Sequence, residues 1–75
     1  MTTKTISLNT IVDVKEFVNT VARYDFEVDL VSGRYHIDGK SIMGIFSLDM
    51  EKPLELCANT NDEALIDEKF KAFIQ

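Results

Sequence analysis

Each segment of this chain with a repeat of two carries apolar side chains on one face only, which rules out a sheet buried on both sides. From Thr5 to Asn9, Ile6 and Leu8 oppose Thr5 and Ser7. Phe26, Val28 and Leu30 alternate with Glu27, Asp29 and Val31, and after a turn at Ser32-Gly33 the pair Tyr35 and Ile37 is predicted to share the buried face. Beyond Pro53, Leu54, Leu56 and Ala58 oppose Glu55 and Cys57. Four half-covered strands need helices on one side of their sheet and leave water on the other.

The intervening segments supply those helices. From Val14 the repeat lengthens, placing Val14, Phe17, Val18, Val21 and Ala22 on one stripe and Lys15, Glu16, Asn19 and Arg23 opposite. Asp13 with Glu16 reads as its N-terminal cap, and Val12 against Phe17 as a hydrophobic staple. Thr60 with Glu63 reads as a capping box for a last helix whose apolar face is Leu65, Ile66, Phe70, Phe73 and Ile74, with Lys69 and Lys71 toward its negative end. Between these, Asp38-Gly39 turns the chain into a short helix that opens on Ser41, a preferred N-cap whose hydroxyl is expected to accept a backbone N–H. The order is βαββαβα, an α+β open-faced sandwich.

Seventy-five residues are expected to form a single domain, 1–75, with a modest core and only a few kcal/mol of net stability. A lone cysteine, Cys57, excludes an internal disulfide, and no apolar run suits a signal peptide or membrane insertion, so the expected compartment is the cytoplasm. A net charge of −5 argues against nucleic acid and favours a protein partner. Cys57, the single histidine His36 and the acidic residues show no metal-ligand spacing, and Asp62-Glu63 and Asp67-Glu68 read as a helix start and a solvated face. No metal, no cofactor and no enzymatic activity are expected.

The short helix holds more apolar residues than one face can bury. Ile42 and Phe46 share one side at 3.6 residues per turn, Ile45 and Leu48 another, so one side must stay outside. Lys40-Ser41-Ile42-Met43-Gly44-Ile45-Phe46-Ser47-Leu48 closely resembles the regulatory-serine helix of HPr, the histidine phosphocarrier of the bacterial phosphoenolpyruvate-dependent sugar phosphotransferase system. A looser similarity runs from Lys4 to Ile74 and includes Arg23-Tyr24-Asp25. The resemblance implies an antiparallel sheet in strand order 1-4-2-3. It also implies regulatory phosphorylation of Ser41 by a dedicated kinase, and a partner-binding surface of Lys40, Ile42, Met43, Phe46 and Ser47. The implied partners are phosphotransferase-system enzymes, the serine kinase or a regulator.

One part of the family pattern is missing. HPr proteins hold the phosphoryl group on a histidine between the first strand and first helix, in a Gly-x-His-x-Arg-Pro setting, whereas this loop reads Asn9-Thr10-Ile11-Val12-Asp13. Thr10, Ile11, Val12 and Asp13 thus form a degenerate phosphoacceptor loop. A carboxylate at the positive end of the helix dipole repels the phosphate that an imidazole there would receive. The resulting reading is a protein-binding or regulatory module that is not a histidine phosphocarrier. Its rivals are phosphotransfer through His36 or Asp13, and a self-associating module, monomer or weak dimer in solution. At the helix, Ser41 as a plain cap and Met43 and Phe46 as gap-fillers remain open alternatives.

Overall fold

A computed structural model describes the whole chain, Met1–Gln75. Its elements are β1 (Thr2–Ile6), α1 (Ile11–Val21), β2 (Val28–Ser32), β3 (Tyr35–Asp38), α2 (Ile42–Phe46), β4 (Leu54–Ala58) and α3 (Glu63–Lys69). The strands form one antiparallel sheet in the order β1-β4-β2-β3. Both the element order and the strand order match the expectation.

Register explains the one-sidedness. Lys4, Leu56, Leu30 and Ile37 stand opposite one another across the sheet, flanked by a row of Thr2, Ala58 and Val28 and by the pair Ile6 and Leu54. Ile6, Leu54, Leu56, Leu30, Val28 and Ala58 are buried beneath the helices. The reverse face carries Thr3, Cys57, Asp29 and Asp38 in one row and Thr5, Glu55, Val31 and His36 in the next. A one-residue slip would exchange these sets, so burial of one face holds the pairing in place.

The helical layer is closed by aromatics. Phe17 of α1 meets Phe70 at 5.7 Å and Phe73 at 5.5 Å between ring centroids, both tilted or edge-on as the ring quadrupoles favour. Tyr24 stacks on Phe26 at 5.3 Å and reaches Phe70 at 6.4 Å, extending the cluster to the corner before β2. Lys4 points to this side as well, where its ammonium lies 2.8 Å from Glu63 and 2.9 Å from Asp67 on α3. This clamp ties an edge strand to the last helix.

Several element boundaries differ from expectation. The first strand runs Thr2–Ile6 rather than Thr5–Asn9, because its ladder with β4 ends at the pair Ile6 and Leu54, beside Pro53; along its other edge Ser7 N–H donates to Phe73, Gln75 N–H donates to Thr5, and Ile6 bridges to Ile74. Helix α1 begins at Ile11, with Thr10 as its cap in place of Asp13. Thr10 Oγ1 accepts the Asp13 N–H at 3.1 Å, while Asp13 Oδ2 accepts the Asn9 N–H at 3.0 Å, so the first turn is tied to the residue before its cap. Val12 is then 61% exposed and forms no staple. At α3 the cap is Asp62, accepting the Leu65 N–H at 3.1 Å, and Thr60 instead accepts the Asp62 N–H.

The hairpin also departs in detail. Gly33 and Arg34 make the turn between Ser32 and its partner Tyr35, with Gly33 at φ +61° and no positive φ at Arg34, the pattern of a type II′ turn. Tyr35 is 62% exposed rather than buried, since it sits at the turn end of an edge strand while Ile37 packs on the core. Gly39, at the opposite end of β3, donates to Val28 O at 2.7 Å, and a Cβ there would lie 2.6 Å from that oxygen.

Thr10→Ala should lower unfolding free energy by about 1 kcal/mol, read as a reduced urea midpoint at unchanged m-value. The two carboxylates bonded to Lys4 raise its pKa above the ordinary value of 10.5. Their contribution is fully present below that ordinary value and is lost as pH climbs through the raised one. Lys4→Met should therefore melt below wild type at neutral pH, with the gap closing in strongly alkaline buffer.

Candidate functional site

The site is built around α2, and the turn before it sets its direction. Asp38 Oδ1 accepts the Lys40 N–H at 2.8 Å, and Asp38 O accepts the Ser41 N–H at 2.9 Å, so an aspartate side-chain turn leads into the helix. Ile45 N–H donates to Ser41 O at 2.9 Å, the first bond of α2. Ser41 thus occupies the cap position, but at φ −89° and ψ 87° its hydroxyl accepts no cap bond. The expected side-chain cap is absent, and the N–H groups that the Asp38 turn satisfies are those of Lys40 and Ser41, ahead of the helix. The Ser41 side chain is left exposed.

Gly44 lets α2 lie on the sheet. A Cβ at that residue would sit 2.8 Å from Ile37 Cγ2 and 2.9 Å from Ser41 Oγ, so a larger residue would push α2 off β3 or displace the serine. Ile45 and Leu48 enter the core and Ile42 packs partly against it. Met43 is 77% exposed and Phe46 40% exposed, so neither fills a gap beneath a loop. Lys40 and Ser47 are exposed as well, with the Ser47 hydroxyl donating to Gly44 O. Lys40, Ser41, Met43, Phe46 and Ser47 therefore share an accessible segment, with Ile42 half-buried at its base.

At the start of α1, Thr10, Ile11 and Val12 are exposed and Asp13 is half-buried. Thr10 with Asp13 and Asp13 with Glu16 have the same i,i+3 spacing before the same apolar stripe, so the sequence pattern alone does not select Thr10 as the cap. The Lys4 clamp also went unread, although Glu63 and Asp67, four apart on one helix face, were its available signal.

His36 lies on the open sheet face opposite Val31, across the sheet from all three helices and exposed. No helix N-terminus and no set of convergent donors reaches it there. Cys57 shares that face, half-buried, and no group of His, Cys, Asp and Glu side chains is arranged to hold a metal ion. Burial pushes the Cys57 thiol pKa up, Glu55 and Asp29 push it the same way, and a hydrogen bond with Thr3 opposes them in part. The thiol therefore stays protonated near neutrality and is a poor nucleophile. Alkylation by iodoacetamide at neutral pH should run slower than for free cysteine, and its rate should go on rising with pH beyond the ordinary thiol value of 9.0 before it levels off.

Comparison with known proteins bears on what this geometry belongs to. No curated protein matches the chain significantly. A solved structure described as HPr-C-His from Thermoanaerobacter tengcongensis superposes with a TM-score of 0.70 at 24% identity, over 95% of this chain and 97% of that one. This likeness establishes the shared fold. A family model described as the PTS HPr component phosphorylation site matches residues 13–75, which leaves Asn9 to Val12 outside the matched span. Because that match runs from the first turn of α1 to the last residue and takes in β2, β3, α2, β4 and α3, the chain belongs to the HPr family of the phosphotransferase system.

Proposed function

We propose that this HPr-family chain acts in the cytoplasm as a protein-binding regulatory module, docking phosphotransferase-system proteins through α2 and carrying no phosphate on histidine. Members of the family are phosphocarriers rather than enzymes and work with other phosphotransferase proteins. The observation that carries the reading is the Asp13 carboxylate at the start of α1. Thr10 Oγ1 takes the Asp13 N–H, and the carboxylate, held by the Asn9 N–H just before the helix, sets a negative charge at the positive end of the dipole. An imidazole taking a phosphoryl group needs that same electrostatic field and free N–H groups around it.

The docking half of the proposal rests on α2. Met43 and Phe46 stand exposed beside a serine whose hydroxyl forms no cap bond, an arrangement suited to a reversible contact switched by charge. Phosphorylation of Ser41 would add a dianion next to that apolar patch without disturbing a core contact, so the surface presented to a partner changes and the fold does not. Lys40, Ile42 and Ser47 complete the proposed contact surface, and a single chain suffices to present it.

Incubation with phosphoenolpyruvate and the first enzyme of the system should leave the intact mass unchanged. Acid-labile phosphate on the wild-type chain, lost in a His36→Ala variant, would show a working carrier and overturn the reading. ATP with an HPr-type serine kinase should add one acid-stable phosphate, absent from Ser41→Ala. Phe46→Ala should weaken capture of a phosphotransferase partner about tenfold or more while the melting curve stays nearly unchanged, as expected for an exposed aromatic anchor.

A further inference from the structure

Three grooves indent the surface, and they differ in whether they hold an uncommitted cation beside an exposed ring. In the groove that includes Lys4 and Glu55, the lysine is already bound by Glu63 and Asp67. The groove between α1 and the segment after α3 sets Arg23 and Lys69 against Glu16, with Lys69 3.5 Å from Glu68, and offers no exposed aromatic. The largest, of about 680 Å³, lies between the β2–β3 turn and the loop after α2, walled by Arg34, Tyr35, Ser47, Asp49 and Lys52.

This groove has a distinct chemistry. Arg34 takes part in none of the ion pairs of the chain, so its guanidinium fork is free to grip two oxygens of a phosphate at once. Lys52 adds a second positive charge. The opposing Asp49 is partly engaged, with Oδ1 accepting the Glu51 N–H at 3.1 Å and Oδ2 3.9 Å from the Lys52 ammonium, so the groove keeps a net positive charge within an acidic protein. Tyr35 presents a largely exposed ring at the rim, and no atom lies within 4 Å of where a Gly33 side chain would begin, so a ligand has room to reach the turn backbone. The volume suits a small molecule. A nucleic-acid strand is disfavoured because an overall charge of −5 provides no basic track beyond the groove.

We propose that this groove binds the phosphate monoester of a small ring-bearing metabolite, with Arg34 and Lys52 on the phosphate and Tyr35 against the ring. The site adjoins the α2 docking surface, sharing only Ser47 with it, and stands whether or not that surface binds a partner. Nucleoside monophosphates and sugar phosphates share the chemistry.

The test is titration of the labelled full chain with AMP, ribose 5-phosphate and inorganic phosphate, followed by amide chemical shifts. Saturable shifts should centre on Gly33 to Tyr35 and Ser47 to Lys52. Arg34→Gln should weaken AMP binding about tenfold, the size expected for losing a charge-assisted bidentate contact. Tyr35→Ser should weaken AMP while leaving inorganic phosphate unaffected. Tighter binding of AMP than of ribose 5-phosphate assigns the groove to nucleotides, and equal binding assigns it to sugar phosphates. Both exposed substitutions should keep a dispersed spectrum, so their effects report on the site. Absence of saturable shifts at millimolar excess of all three probes, or equal AMP binding by Arg34→Gln, overturns the proposal.

Discussion

The contact on which this structure depends is the meeting of Phe17 with Phe70 and Phe73 above a row of sheet residues centred on Leu30 and Leu56. A chain of this size has no disulfide and one modest core, so most of its stability must come from apolar area removed from water in that layer. Phe17 arrives on the first helix, while Phe70 and Phe73 arrive at and beyond the end of the last. Their contact brings the two ends of the chain together, and the pairing of the C-terminal segment with β1 follows from it. The Lys4 clamp to Glu63 and Asp67 lies beside this junction and gives a charged residue a place on the helix side of the sheet.

The two long-lived questions of function are set by what that core leaves over. Helix α2 has only five residues, and once Ile45 and Leu48 are buried it has no further face to bury Met43. Its apolar exposure is thus a consequence of packing geometry, and the proposed docking surface rests on that exposure. At α1, Thr10 caps the Asp13 N–H, and the Asp13 carboxylate places a negative charge at the positive end of the helix dipole. The fold accommodates this because Ile11 and Val12 of the first turn stay outside the core.

What could be read in advance divides along the same line. The alternation in Leu54 to Ala58 placed that strand to the residue, since Pro53 marks its start and both faces have clear chemistry. For the first strand the alternation runs on too far, because Leu8 is still buried in the core beyond the last rung with β4, the pair Ile6 and Leu54. Caps were misassigned at Asp13 and Thr60 because several Ser, Thr and Asp residues near each helix start satisfy the same short motif, and only backbone direction selects among them. Tyr35 was assigned to the core by its place in the alternation, but a strand that extends past the covering helices exposes its end whatever its pattern.

The amino-acid sequence by itself determined the number and kind of elements, the face each one buries, and the absence of histidine from the loop before α1. Those properties depend on side-chain periodicity and residue identity alone. Tertiary structure decided that the Ser41 hydroxyl stays out of the helix cap, that Lys4 finds two carboxylates, and that Arg34, Tyr35 and Lys52 line one groove. Each of these depends on how distant segments approach, which local sequence does not encode, because the competing hydrogen-bond and ion-pair partners differ by only about 1 kcal/mol until packing selects one arrangement.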